Sequence, residues 1–213
     1  MKRVIIRWMI VLLCSVSMPT MAMAQFDLSK AIQGLLGPQT QSDSEQRISP
    51  YKLIADAAPE LKQITRTWGY EHTEIEYLGA SPLAASAIPQ IDSFVQAALK
   101  NLGIVEGTFS LTLRRNGTGF IVAGKDACDG NYRYDPTSGR LSISTKIDNV
   151  AYPASGYIKM KDNKMILMVN ALDVADAILL AVPEYRNDQN VLMIYGLLQS
   201  FPGVYISLWM HKM

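Results

Sequence analysis

The sequence predicts a mainly β protein: an eight-stranded antiparallel barrel with one helix inserted between strands 1 and 2, two helices before the last strand, and further helices at the N-terminus. Three observations predict it. From Gly107 onward apolar residues alternate with polar ones, and turn residues punctuate them at Asn116-Gly117, Asp135-Pro136-Thr137-Ser138-Gly139 and Asp162-Asn163; this is the pattern of an antiparallel meander. Two stretches interrupt the β texture with helical periodicity, one after Pro82 and one from Ala171 to Phe201. Counted from Trp68 there are eight strands, a number that closes a barrel around a filled or ligand-sized interior.

The first residues predict export. Lys2, Arg3 and Arg7 precede an apolar stretch from Trp8 to Val16, and Ala22-Met23-Ala24 offers small residues before Gln25, the three parts of a cleavable signal peptide. The apolar stretch falls short of the roughly 20 residues of a membrane span. The expected location is the periplasm or cell envelope of a Gram-negative bacterium. Cleavage removes Cys14 and three of the 20 basic residues but none of the 19 acidic ones, leaving 189 residues with a net charge of −2. That balance argues against nucleic acid, whose binding needs several neutralised phosphates, and the length suits one domain. The division is therefore a signal peptide over 1–24, an N-terminal helix and polar linker over 25–49, and a barrel domain over 50–213.

Phe26, Leu28, Ile32, Leu35 and Leu36 share one face of a short amphipathic helix that Gly37-Pro38 ends. Residues 39–47 are polar and aperiodic, a linker. Ser49 and Pro50 suit the N-cap and first turn of a second helix, which Pro59 divides. At Thr67 the texture turns extended. Trp68 and Tyr70 share one face of the first strand while Ile75 and Tyr77 share the other, which one inserted residue near His72 reconciles. A helix of about 20 residues follows, with Ile91, Phe94, Val95, Ala98 and Leu102 as its stripe. The meander then runs through Phe109–Leu113, Phe120–Ala123, the Tyr132/Tyr134 strand, Leu141–Thr145, Tyr157–Lys161 and Lys164–Val169. Its strongest short hairpin signal is Asn116-Gly117. Helices over Ala171–Ala181 and Val191–Phe201 precede the last strand, Val204–His211, in which Tyr205 and Trp209 either mark an outer contact surface or, more ordinarily, pack under the inserted helices.

Chemistry is sparse. The two histidines, His72 and His211, bring no converging set of metal ligands. No Gly-x-Ser-x-Gly elbow anchors a triad, and Gly117 and Gly119 flank a β-turn, not a phosphate cradle. The expectation is a protein that is not an enzyme and holds no cofactor or metal. Cys128 is the one cysteine after cleavage; it reads as a small buried residue of a monomer, with a disulfide-linked dimer as the alternative.

The Trp68 strand, the eight-strand meander and the export signal together resemble a lipocalin. More closely, Ser49-Pro50-Tyr51, Trp68-Gly69-Tyr70, Gly107-Thr108-Phe109 with Asn116-Gly117-Thr118, and Gly130-Asn131-Tyr132-Arg133-Tyr134-Asp135 resemble a lipocalin-like domain-of-unknown-function family of exported bacterial proteins. The likeness covers residues 50 to 213. It implies the barrel and carries over no activity. Two functional expectations follow. In the first, the barrel binds a small apolar or amphipathic molecule, with Trp68, Tyr70, Phe109, Leu111, Tyr132 and Tyr134 as interior residues that mix apolar bodies with hydroxyl tips. In the second, large side chains fill the barrel and the protein is a structural or interaction component of the envelope.

Overall fold

The computed structural model describes residues 57–101, 104–147, 150–181 and 183–213. The expected signal peptide, the expected helix over 26–36, the expected linker over 39–47, the Ser49-Pro50 helix start and Leu102 lie outside the described residues. The described chain runs α1 (Leu61–Ile64), β1 (Thr67–Tyr77), α2 (Ala84–Asn101), β2 (Phe109–Leu113), β3 (Thr118–Ala123), β4 (Asp126–Asp135), β5 (Arg140–Ile147), β6 (Val150–Lys161), β7 (Lys164–Asn170), α3 (Ala171–Ala181), a 3₁₀ turn (Pro183–Asn187), α4 (Gln189–Ser200) and β8 (Val204–Lys212). The strands close into one antiparallel barrel in chain order, β8 returning to β1. Closure removes the free edges that an open sheet would expose.

Pairing is uneven around the ring. β1 and β8 are in register from Trp68/Lys212 to Tyr77/Val204, with a slip between Tyr70 and His72. Glu71 is the extra residue, so Trp68 and Tyr70 point inward before the slip and Thr73 is buried after it. The Lys164 ammonium bonds Glu71 at 2.6 Å and holds its carboxyl below the usual carboxylate range. β1 meets β2 only over Thr67–Gly69. Beyond that seam α2 packs along β1, and the Gln96 side-chain amide donates to the Thr73 carbonyl at 3.2 Å. The inserted helix thus covers an edge that β2 leaves unpaired. β6 pairs with β5 over Val150–Tyr157 but with β7 only over Tyr157–Lys161. Pro153, which has no N–H to donate, falls in the half with one neighbour, where a proline is tolerated.

In an up-and-down barrel alternate connections lie at alternate ends. The β2–β3, β4–β5 and β6–β7 turns share one end with the start of β1 and the end of β8; we call this end the base. The β1–α2–β2 and β7–α3–α4–β8 excursions share the other, the mouth. Asp162 and Asn163 both have positive φ, 51° and 62°, and form the tight two-residue hairpin. Asn116-Gly117 sits in a longer loop: the Gly117 N–H bonds the Arg114 carbonyl at 3.1 Å, Gly117 has φ 80°, and the Asn116 side chain accepts from the Thr118 N–H and hydroxyl. At the mouth, Asn170 caps α3 by accepting from the Leu172 N–H, and Asp188 caps α4 by accepting from Asn190 and Val191.

The outer wall of β6, β7, β8 and β1 carries a small apolar cluster of its own. Ile166, Met168 and Tyr205 are buried there, with Leu78, Tyr157 and Trp209 packed against them. Trp209 stacks on His72 at 5.3 Å between ring centres, and Lys161 lies over its ring. Glu76 reaches across the same face, accepting from the fully buried Ser207 hydroxyl at 2.6 Å and from the Lys159 ammonium at 2.8 and 2.9 Å. Tyr205 is therefore covered by its own chain, and Trp209 is half-buried beside it.

Candidate functional site

Of the aromatic residues expected to line a pocket, Trp68, Tyr70, Tyr132 and Tyr134 lie toward the base and Phe109 begins β2 on the mouth side, and their polar tips bond the chain's own groups. Trp68 is 1% exposed and its indole N–H donates to the Ile64 carbonyl at 2.9 Å. Arg66 lies 5.6 Å from its ring centre. Tyr70 packs edge-on against Phe109, and its hydroxyl pairs with that of Thr73 at 2.8 Å. Tyr132 donates to the Arg114 carbonyl and Tyr134 to the Pro59 carbonyl, each at 2.7 Å. Burial raises the Tyr70 and Tyr132 hydroxyls, and burial with the Asp135 carboxylate pushes Tyr134 up to about 12. Leu111 is 1% exposed. The five residues other than half-buried Tyr134 are buried in one core with Ile64, whose short helix crosses the base.

Inside the β5–β6–β7 wall the side chains also close up. A void of about 10 Å³ remains among Leu141, Ala154, Gly156, Leu167 and Val169, at the lower limit for one water, which needs roughly 10–15 Å³. The larger space is at the mouth. A cavity of about 40 Å³ lies between α2, α3 and α4, with Phe94, Ala98, Ala171, Ala175, Ile194 and Tyr195 on its walls and Ile206 of β8 beneath. Its lining is almost wholly apolar. The short side chains of Ala98, Ala171 and Ala175 leave open a space that Leu or Ile would fill. Its one polar feature is at the edge: the Tyr195 hydroxyl donates to the Asp176 carboxylate at 2.7 Å.

None of the six residues singled out from the sequence lines this cavity. The α2 stripe read from the sequence supplies Phe94, Val95 and Ala98, but as helix packing; α3 adds Ala171, Val174 and Ala175 and α4 adds Val191, Ile194, Tyr195 and Leu198, each at the spacing of one helix face, which marks packing and not a cavity. Among the described residues no group of three His, Cys, Asp or Glu converges. His72 lies 3.6 Å from Glu71 and 3.5 Å from Glu74 on the outer wall, away from the mouth cavity.

Cys128 points into the barrel on β4, opposite Ile121 of β3, and is buried. Burial pushes its thiol up to about 11, with Asp129 adding to the shift. The thiolate is the reactive form, so the native thiol is expected to resist iodoacetamide at neutral pH and to react once the chain unfolds in urea. Mass spectrometry of both samples checks this, and rapid labelling of the folded protein would contradict it. The raised value also has a sign for stability. Its contribution is fully present below pH 9 and is lost as pH rises toward about 11.

No described helix is long and apolar enough to cross a membrane. No curated protein matches the chain. Among solved structures it is similar to a DUF4847 family protein from Bacteroides vulgatus, at 12% identity over 68% of this chain and 92% of that one, with a TM-score of 0.33. Residues 47–212 match the lipocalin-like domain family DUF4923. With that match spanning most of its length and a closed eight-stranded barrel beneath it, the chain belongs to the lipocalin-like domain family DUF4923.

Proposed function

We propose that this protein is exported and binds a small apolar or amphipathic molecule without catalysis, holding it at the helix-covered mouth of the barrel. The observation that carries this reading is the contrast between the two ends. At the base the large aromatic side chains are packed, and their polar tips are bonded within the chain. At the mouth an apolar cavity of about 40 Å³ remains, room for a few methylene groups at the end of an alkyl chain and well short of the roughly 150 Å³ that takes up benzene. Apolar cavities stay dry and accept apolar guests.

The test is n-octanol binding, followed through the methyl signals of Val, Ile and Leu, in the natural protein and in Ala175→Leu. Ala175 lines the cavity and is half-buried. Leucine there is expected to abolish the octanol-induced shifts and to raise stability by roughly 0.5–2 kcal/mol, as cavity filling commonly does. Undiminished octanol binding in Ala175→Leu would place the site elsewhere. The filled base supports a second reading, a structural envelope protein without a ligand, and a natural protein that shows no octanol shifts would favour it.

A further inference from the structure

Taking the mouth cavity as a binding site, we infer that its guest is an amphiphile with a short alkyl tail and a cationic ammonium head, the head against the Asp176 carboxylate. This inference rests on the reading given above and adds the chemistry of the head group. The tail end follows from the lining: Phe94, Ala98, Ala175 and Ile194 offer no hydrogen-bonding side chain. The head end follows from charge. Asp176 is exposed on α3, next in the chain to Ala175 of the cavity wall, and Tyr195 on the α4 wall ties it to the opening.

Neither α3 nor α4 contains a basic residue, and Lys100 of α2 is the one basic residue in the three helices against Asp92, Asp173 and Asp176. Arg186, in the turn between α3 and α4, donates instead to the Leu179 carbonyl at 3.0 Å. Among the described residues no cation lies within ion-pair distance of Asp176. The Tyr195 hydroxyl, pushed up to about 12 by burial and by its bond to Asp176, stays a neutral donor at neutral pH and fixes one carboxylate oxygen. The other oxygen is left to receive an ammonium N–H, a charge-assisted bond that an alcohol matches less well and a carboxylate opposes.

The experiment compares n-octylammonium, n-octanol and n-octanoate at pH 7 by calorimetry and by methyl shifts, in the natural protein and in Asp176→Asn. Octylammonium is expected to bind roughly 1.5- to fivefold more tightly than octanol, the range of one exposed ion pair, with octanoate the weakest. Asp176→Asn is expected to bring the octylammonium-to-octanol ratio close to one. Equal binding of all three probes by the natural protein would overturn the head-group inference and leave the mouth site standing. A preference that survives in Asp176→Asn would overturn it as well. If none of the three binds, the mouth site falls, and the inference with it.

Discussion

Trp68→Ala is expected to lower stability by about 3–5 kcal/mol, the usual range for removing a buried aromatic side chain. For a domain of this size that corresponds to a fall of roughly 6–20 °C in Tm. Two effects combine. The indole leaves a void at the base, where Ile64, Leu111 and Met210 are each almost fully buried. The Ile64 carbonyl also loses its 2.9 Å donor. The same substitution is expected to leave octanol affinity within about twofold when measured well below Tm, because Trp68 does not line the mouth cavity. Thermal unfolding and calorimetry check the two halves. A loss of affinity larger than the loss of stability would return the binding site to the barrel interior.

Gly156→Val is expected to be the second severe substitution. β6 leaves β5 and joins β7 at Tyr157, and Gly156 sits at that crossing. A Cβ there would stand 2.7 Å from the Met168 carbonyl oxygen and 3.1 Å from a Val169 methyl. The carbonyl is backbone and cannot swing aside, so β6 and β7 must separate. Overpacking of this kind costs about 1–3 kcal/mol, and the two extra methyls of valine push toward the upper end. Gly69→Ala is the control: its Cβ would meet the His211 ring at 3.0 Å and the Met213 side chain at 3.1 Å, groups near the C-terminus that can shift. Urea unfolding of the two variants should separate them clearly. Equal losses would show that the crossing at Gly156 is not the constraint.

Much of this barrel is legible in the sequence because a half-buried strand writes its two faces in alternation. The Trp68/Tyr70 face and the Ile75/Tyr77 face disagree by one residue, and the slip at Glu71 is the structural counterpart of that disagreement. The first half of β6 escapes a sequence reading because Pro153 argues against a strand; only the pairing, with β5 on one side alone, shows why it is tolerated there. Asn116-Gly117 carries the strongest hairpin signal, but the tight two-residue geometry belongs to Asp162-Asn163. Side-chain chemistry and backbone conformation do not map one to one.

The candidate site is legible only in part. Trp68, Tyr70, Phe109, Leu111 and Tyr132 belong to the core and Tyr134 packs against it, yet alternation specifies a face and not a partner. Whether an inward tyrosine lines a pocket or plugs one depends on what crosses the barrel to meet it. Here Pro59 and Arg114 meet Tyr134 and Tyr132 from other segments, while Thr73 of the same strand meets Tyr70. The mouth cavity depends on three helices, of which α2 is far in sequence from the other two. Its sequence trace is apolar residues at helical spacing on the three helices, a pattern shared by any close helix packing.

A crystal structure determined under xenon pressure tests the mouth cavity directly, because xenon enters dry apolar cavities without needing polar contacts. One xenon atom is expected at the mouth, beside Ala98, Ala175 and Ile194, and none at the base. A xenon atom beside Trp68 and Leu111, with an empty mouth, would contradict it.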